Sequence, residues 1–136
     1  MRIKSALYNP ETNLEDEYRK LVDQQIVVNE KQDAVRELLF KNRALVKEPT
    51  RTGRLLVFTF IDVIDLYEQI MATWYDYASL RKRFSSTGIL EEISLLIKNI
   101  ADELDNIGHA IQSNTSFKKQ FDILIASEKL KIKIAT

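Results

Sequence analysis

The amino-acid sequence predicts an all-α protein: an up-down helical bundle of about four helices, three of them long. Three observations predict it. Only 3 Gly and 2 Pro interrupt 136 residues, whereas a β-sandwich or barrel needs a turn about every 8–12 residues. Hydrophobic residues make up 45% and charged residues 29%, the balance of a globular chain rather than a disordered one. Apolar side chains recur at alternating spacings of three and four over long stretches, which is the period of a helix face. The length suits one core, so residues 1–136 are expected to form a single helical domain.

The first element is a short amphipathic piece over residues 2–8, ended by the turn-forming run Asn9-Pro10-Glu11-Thr12-Asn13. Thr12 followed by Glu15 fits a capping box, and Glu15, Asp16 and Glu17 suit the positive end of a helix dipole. From there Leu14, Tyr18, Leu21, Gln25, Val28, Gln32, Val35, Leu39, Asn42 and Val46 form a heptad seam. A second line through Val27, Ala34, Leu38 and Leu45 widens it toward a bundle face. At ~1.5 Å per residue this helix would be ~50 Å long, with Pro49 ending it.

The next helix is expected from about Thr52 to Phe84, capped by Thr50 or Thr52, with Gly53 in its first turn. Val57-Phe58-Thr59-Phe60-Ile61 has strand composition, but some thirty residues without a breaker is far beyond a strand's usual length. Its apolar arc is broad, through Leu56, Phe60, Val63, Leu66, Tyr67, Ile70, Met71, Trp74 and Tyr77. A helix this apolar is the one surrounded by the others. Trp74 should then be mostly buried in a self-sufficient chain. Ser85-Ser86-Thr87-Gly88 turns the chain into a third long helix with Ile89, Ile93, Leu96, Ile100, Leu104, Ile107 and Ile111 on one face. Ser113-Asn114-Thr115-Ser116 stops it and can cap a last segment carrying Phe117, Phe121, Leu124 and Ile125. Residues 126–136 are ambiguous, because Lys129 to Ile134 alternate with period two; a helix that frays is expected.

Several function classes are excluded or disfavoured. Cys is absent, which removes disulfides, thiolate metal sites and cysteine catalysis. Twenty basic residues balance twenty acidic ones, so no overall field draws in nucleic acid. The N-terminus lacks the apolar run of a signal peptide, and no stretch approaches the ~20 apolar residues of a spanning helix; the chain reads as soluble. Its single His, His109, falls off the Ile107–Ile111 stripe and reads as solvent-facing. One His cannot supply a Glu-x-x-His pair on two helices, and phosphate-cradling glycine patterns are missing. The sequence points away from an enzyme, and it calls for no cofactor and no metal.

Three polar features remain. Gln25, Gln32 and Asn42 interrupt the apolar seam, either fixing register through buried amides or lining a polar pocket. Asp62, Asp65, Glu68 and Asp76 lie on the middle helix, where a solvated line facing Arg36 or Arg43 outweighs a cation site. Basic charge collects at Lys47, Arg51 and Arg54, at Arg81-Lys82-Arg83, and in a C-terminal segment with five Lys against Asp122 and Glu128. That charge serves solubility, or proximity to anionic lipid. The sharpest candidate is an anion site at Thr50, Arg51, Thr52, Gly53 and Arg54, where a helix start offers N–H groups and two guanidinium forks. Its ligand would be a lipid phosphate or a small organic anion. The competing reading pairs the two arginines with Glu48 or a neighbouring helix.

The run Asn29-Glu30-Lys31-Gln32-Asp33-Ala34-Val35-Arg36-Glu37-Leu38-Leu39 resembles a soluble motif of YccS/YhfK-type, FUSC-like bacterial inner-membrane proteins, relatives of fusaric acid resistance and aromatic acid exporters. Ala6-Leu7-Tyr8 with Pro10, Gly53-Arg54, and Asp62-Val63-Ile64-Asp65-Leu66-Tyr67-Glu68 extend the likeness over roughly residues 3–110. The resemblance implies a non-catalytic domain on the cytoplasmic side of the inner membrane, excised from a larger efflux transporter. Its partner would be the membrane-spanning part of the same protein, whose assembly or regulation it would serve. Asn29, Glu30, Gln32, Arg36, Glu37, Asp62 and Asp65 would be structural members of the family motif. The rival expectation is a free-standing adaptor that binds a partner helix in a groove. The long seam can be satisfied within one chain or by a second copy, giving a homo-oligomer.

Overall fold

The computed structural model describes residues 1–41 and 50–136. Among these, six helices and no strand are present: α1 (Arg2–Tyr8), α2 (Leu14–Lys41), α3 (Arg51–Ala72), α4 (Tyr77–Phe84), α5 (Ile89–Ser113) and α6 (Ile123–Ala135). Three are long, with 28, 22 and 25 residues. The chain divides into two compact units, residues 1–21 with 75–136, and residues 22–74.

In the first unit α1 packs on α5, α4 touches both, and α6 lies on α5. Seven residues cannot hold a helix alone, because nucleation costs more than so few bonds return. Tertiary contacts hold α1 instead. Leu7 is fully buried, and Leu90 and Ala101 of α5 are buried as well; Leu7→Ala would cost about 2–5 kcal/mol. Ser5 and Ser94 let the two helices approach closely: Ser5 Oγ donates to Ser94 O at 2.6 Å and Ser94 Oγ donates to Ser5 O at 2.9 Å. At the other end Arg2 pairs with Asp102 and Asp105 of α5. The buried Tyr77 ring stands edge-on to Tyr8 at 5.2 Å and is tilted to Tyr18 at 6.4 Å.

Four expectations change. Thr12 does not cap α2: its hydroxyl donates back to Ala6 O and Asn9 O, and Asn13 Oδ1 takes the Asp16 N–H at 3.1 Å. The expected Thr52–Phe84 helix is two helices. Thr73 Oγ1 donates to Gln69 O and Ile70 O, and its backbone turns extended. Asp76 then accepts from Ser79 N at 3.1 Å and opens α4 as a fresh N-cap. Side chains that bond their own backbone compete with helix continuation. Nor is α3 enclosed: Gly53 is its buried residue, Phe58 and the following Trp74 are each 61% exposed, and Trp74 is therefore not the core residue expected. Finally, Phe117 and Phe121 precede the last helix, which starts at Ile123 because Asp122 accepts the Ile125 N–H at 3.1 Å.

Other expectations hold. Thr50 caps α3, with Oγ1 accepting from Gly53 N at 3.0 Å. Gly88 precedes α5 at φ 73° and Asn114 follows it at φ 51°, left-handed positions suited to Gly and Asn. The period-two tail stays helical to Ala135. In the second unit Gln25 Nε2 donates to Met71 Sδ at 3.6 Å, and the Arg36 guanidinium lies 6.0 Å from the Phe60 ring centre. A step of eleven residues forward on α2 matches eleven backward on α3, so the two helices run antiparallel. Along the seam Leu21 and Leu39 are buried and Gln25, Val28 and Gln32 partly so, but Val35 is exposed, as are Val27, Ala34 and Leu38 on the second line. Asn42, Arg43, Leu45, Val46, Lys47, Glu48 and Pro49 lie outside the described residues.

Candidate functional site

The candidate anion site sits at the start of α3. The Thr50 hydroxyl already takes the Gly53 N–H, and Arg54 N donates to Thr50 O at 3.0 Å. Arg51, Thr52 and Arg54 are exposed. Among the described residues neither arginine is seen in an ion pair, and both belong to the first four residues of α3, the positive end of its dipole.

The residues that carry the family likeness are spread along two helices and do not converge. Asn29 and Glu30 are exposed on α2, and Glu37 pairs with Lys41 at 3.2 Å. Arg36 pairs with Asp33 of its own helix at 2.7 Å, not with the α3 carboxylates it was expected to face. Gln32 Nε2 is buried with no hydrogen-bond partner among the described residues. Asp62, Asp65 and Glu68 are exposed, and no acidic or His cluster among the described residues could hold a metal ion. The fourth carboxylate, Asp76, serves as the α4 cap.

A polar centre that the sequence does not announce lies in the first unit. Arg81, grouped above with Lys82 and Arg83 as surface charge, turns its guanidinium onto the end of α1. Nε donates to Leu7 O at 3.1 Å, Nη1 to Thr12 O at 2.6 Å, and Nη2 to Ala6 O at 3.0 Å and Thr12 Oγ1 at 2.8 Å. The last carbonyls of a helix have no partner within it, and one planar fork supplies four bonds at once. Burial holds Arg81 below its usual pKa, opposed by nearby Tyr18 and Glu17. Burial also pushes Tyr77 far up, with Tyr8 and the other tyrosines adding to it. A missing donor for the α1 carbonyls was foreseeable from the Pro10 turn; which arginine supplies it was not.

Hollows of about 600, 360 and 280 Å³ border α5, the smallest lined by Glu103, Ile107 and Leu124. A cleft of about 600 Å³ between α5 and α6 is lined by Leu95, Leu96, Phe121 and Leu130, with Lys129 and Lys133 at its rim and Lys133 paired to Glu92. At the end of α5 a polar hollow of about 360 Å³ includes the exposed His109, Ser113 and Lys118. Between them Glu103 is buried, and its carboxylate accepts the Gln120 N–H at 3.1 and 3.3 Å, which fixes the segment leading to α6.

These features define an all-α protein whose ordered polar side chains hold helix ends and connections together. Among the described residues no helix is long and apolar enough to cross a membrane. The chain belongs to the FUSC-like family: the family described as FUSC-like inner membrane protein yccS matches it over residues 1–136. No curated protein and no solved structure matched the chain.

Proposed function

We propose that the chain is a non-catalytic helical domain of a FUSC-like inner-membrane efflux transporter, lying on the cytoplasmic side and serving assembly or regulation of the membrane part. The observation that carries the reading is the family match along the whole chain. The polar groups described above support it, since they stabilise helix ends and do not converge on a reacting atom. Large apolar side chains exposed on α2 and α3, such as Leu38 and Phe58, offer contact area to helices of the same protein. The test is Leu38→Glu with Phe58→Glu in the full-length transporter. Membrane insertion should persist while oligomeric assembly or transport is lost. Unchanged assembly and transport would refute the reading.

The α5–α6 cleft favours a second reading, a free-standing adaptor that takes a partner helix in that groove. The reading frame separates the two: apolar runs of ~20 residues flanking this segment support the transporter, and their absence supports the adaptor.

A further inference from the structure

We infer that the cleft between α5 and α6 is a binding site for a fatty-acid-type ligand, a linear acyl chain ending in a carboxylate. Two ties fix the ends of the cleft. Glu103 of α5 holds the Gln120 N–H just before α6, and Lys133 near the end of α6 pairs with Glu92. The two helices therefore run antiparallel. About 600 Å³ stays open between the ties, within the ~300–1,000 Å³ usual for a small-ligand site. The open stretch runs from Glu92 to Asn99 on α5 and from Ala126 to Lys133 on α6, about 10 Å of rise on each helix. Two facing walls of that length suit an extended chain better than a broad ring system.

The walls and the rim ask for different parts of one molecule. Leu95, Leu96, Phe121, Ala126 and Leu130 make the walls apolar, and Leu95 stays 57% exposed although α6 packs on the same helix. A hydrocarbon chain removes that surface from water. The polar groups select the head. Lys133 is already matched by Glu92, whereas Lys129, one turn earlier, is in no ion pair among the described residues. Asn99 on the facing wall makes no side-chain hydrogen bond among the described residues. One unmatched ammonium and one amide donor suit a monoanion such as a carboxylate. A phosphate head carries nearly two charges, and one of them would go unmet. The exposed Lys129 keeps the head at the water side, so no charge is buried without a partner. This ligand is a small molecule where the second reading above has a partner helix, and the inference does not depend on the assembly role.

The test is titration of the isotope-labelled 136-residue chain with decanoate, decanol, decyl phosphate and acetate, followed by amide NMR shifts. Decanoate is expected to bind, with shifts concentrated at residues 92–99 and 121–133. Decanol, which lacks the charge that Lys129 meets, should bind about tenfold more weakly, and acetate should give no saturable shift. Lys129→Gln should weaken decanoate about tenfold and leave decanol unchanged, a split that a merely damaged fold would not produce. Leu95→Glu should abolish binding of both chains, and because Leu95 is exposed its circular dichroism should stay native. Equal affinity for decanoate and decanol, full decanoate affinity in Lys129→Gln, or shifts centred outside the cleft would each overturn the inference. So would tighter binding of decyl phosphate than of decanoate, since the site would then be built for a phosphate head.

Discussion

Replacing Arg81 with Ala tests whether one side chain holds α1 in place. The change removes four hydrogen bonds, to Leu7 O, Thr12 O, Ala6 O and Thr12 Oγ1. A hydrogen bond with a charged partner contributes about 1.5–3 kcal/mol. The four share one guanidinium and do not add, and Ala6 and Thr12 are partly exposed, so their freed oxygens can recover water, whereas Leu7 O is buried. The expected loss is about 3 kcal/mol, close to a hundredfold in an equilibrium constant. Because the chain has two compact units, a bulk melt mixes their transitions, whereas amide hydrogen exchange resolves them. The amides of Ser5, Asn9 and Thr12, bonded to Met1 O, Ala6 O and Asn9 O, should lose protection by about a hundredfold, with amides of α3 unaffected. Arg81→Lys should recover only about 1 kcal/mol, since an ammonium lacks the planar fork that reaches several acceptors. If those amides lose less than about threefold in Arg81→Ala, under 1 kcal/mol, the clamp is ornamental and the packing of Leu7 alone holds the helix.

Glu103→Ala leaves the Gln120 N–H without its acceptor and should cost about 1–3 kcal/mol, with faster proteolysis between residues 115 and 122; Glu103→Gln keeps one acceptor oxygen and should cost less. Asp122 is held below its usual carboxylate pKa, chiefly by the Ile125 N–H and then by Lys119. A depressed folded pKa contributes stability above the unfolded value and loses it as pH falls through the folded one. Exchange at the Ile125 amide should therefore rise as pH drops below about 4, and Asp122→Asn should show no such acid-dependent rise. Trp74, 61% exposed, should emit like a solvated indole and be readily quenched by acrylamide; a blue-shifted, protected emission would contradict its placement. At the start of α3, sulfate should raise the melting temperature more than chloride at equal ionic strength, and Arg51→Ala with Arg54→Ala should abolish the difference; equal shifts in both proteins would remove the anion site.

The local rules written into the sequence determined the fold class. Sparse Gly and Pro, the α2 seam, the isoleucine stripe of α5 and the Thr50 cap all act over a few residues, so their outcomes follow from spacing and side-chain chemistry. The family likeness was legible for the same reason, since its residues lie in continuous runs on α2 and α3. What the sequence could not settle were competitions between neighbouring signals: Asn13 over Thr12 at α2, Thr73 and Asp76 over an uninterrupted helix, and Asp122 over the Ser113–Ser116 hydroxyls. Each was decided by which oxygen reached an unpaired backbone group. The roles of Arg81, Glu103 and the Ser5–Ser94 pair required the tertiary structure, because their partners are 17 to 89 residues away in the chain. No periodicity records which distant carbonyl or amide a polar side chain will meet; only the packing of α1, α4 and α6 about α5 brings them within hydrogen-bond reach.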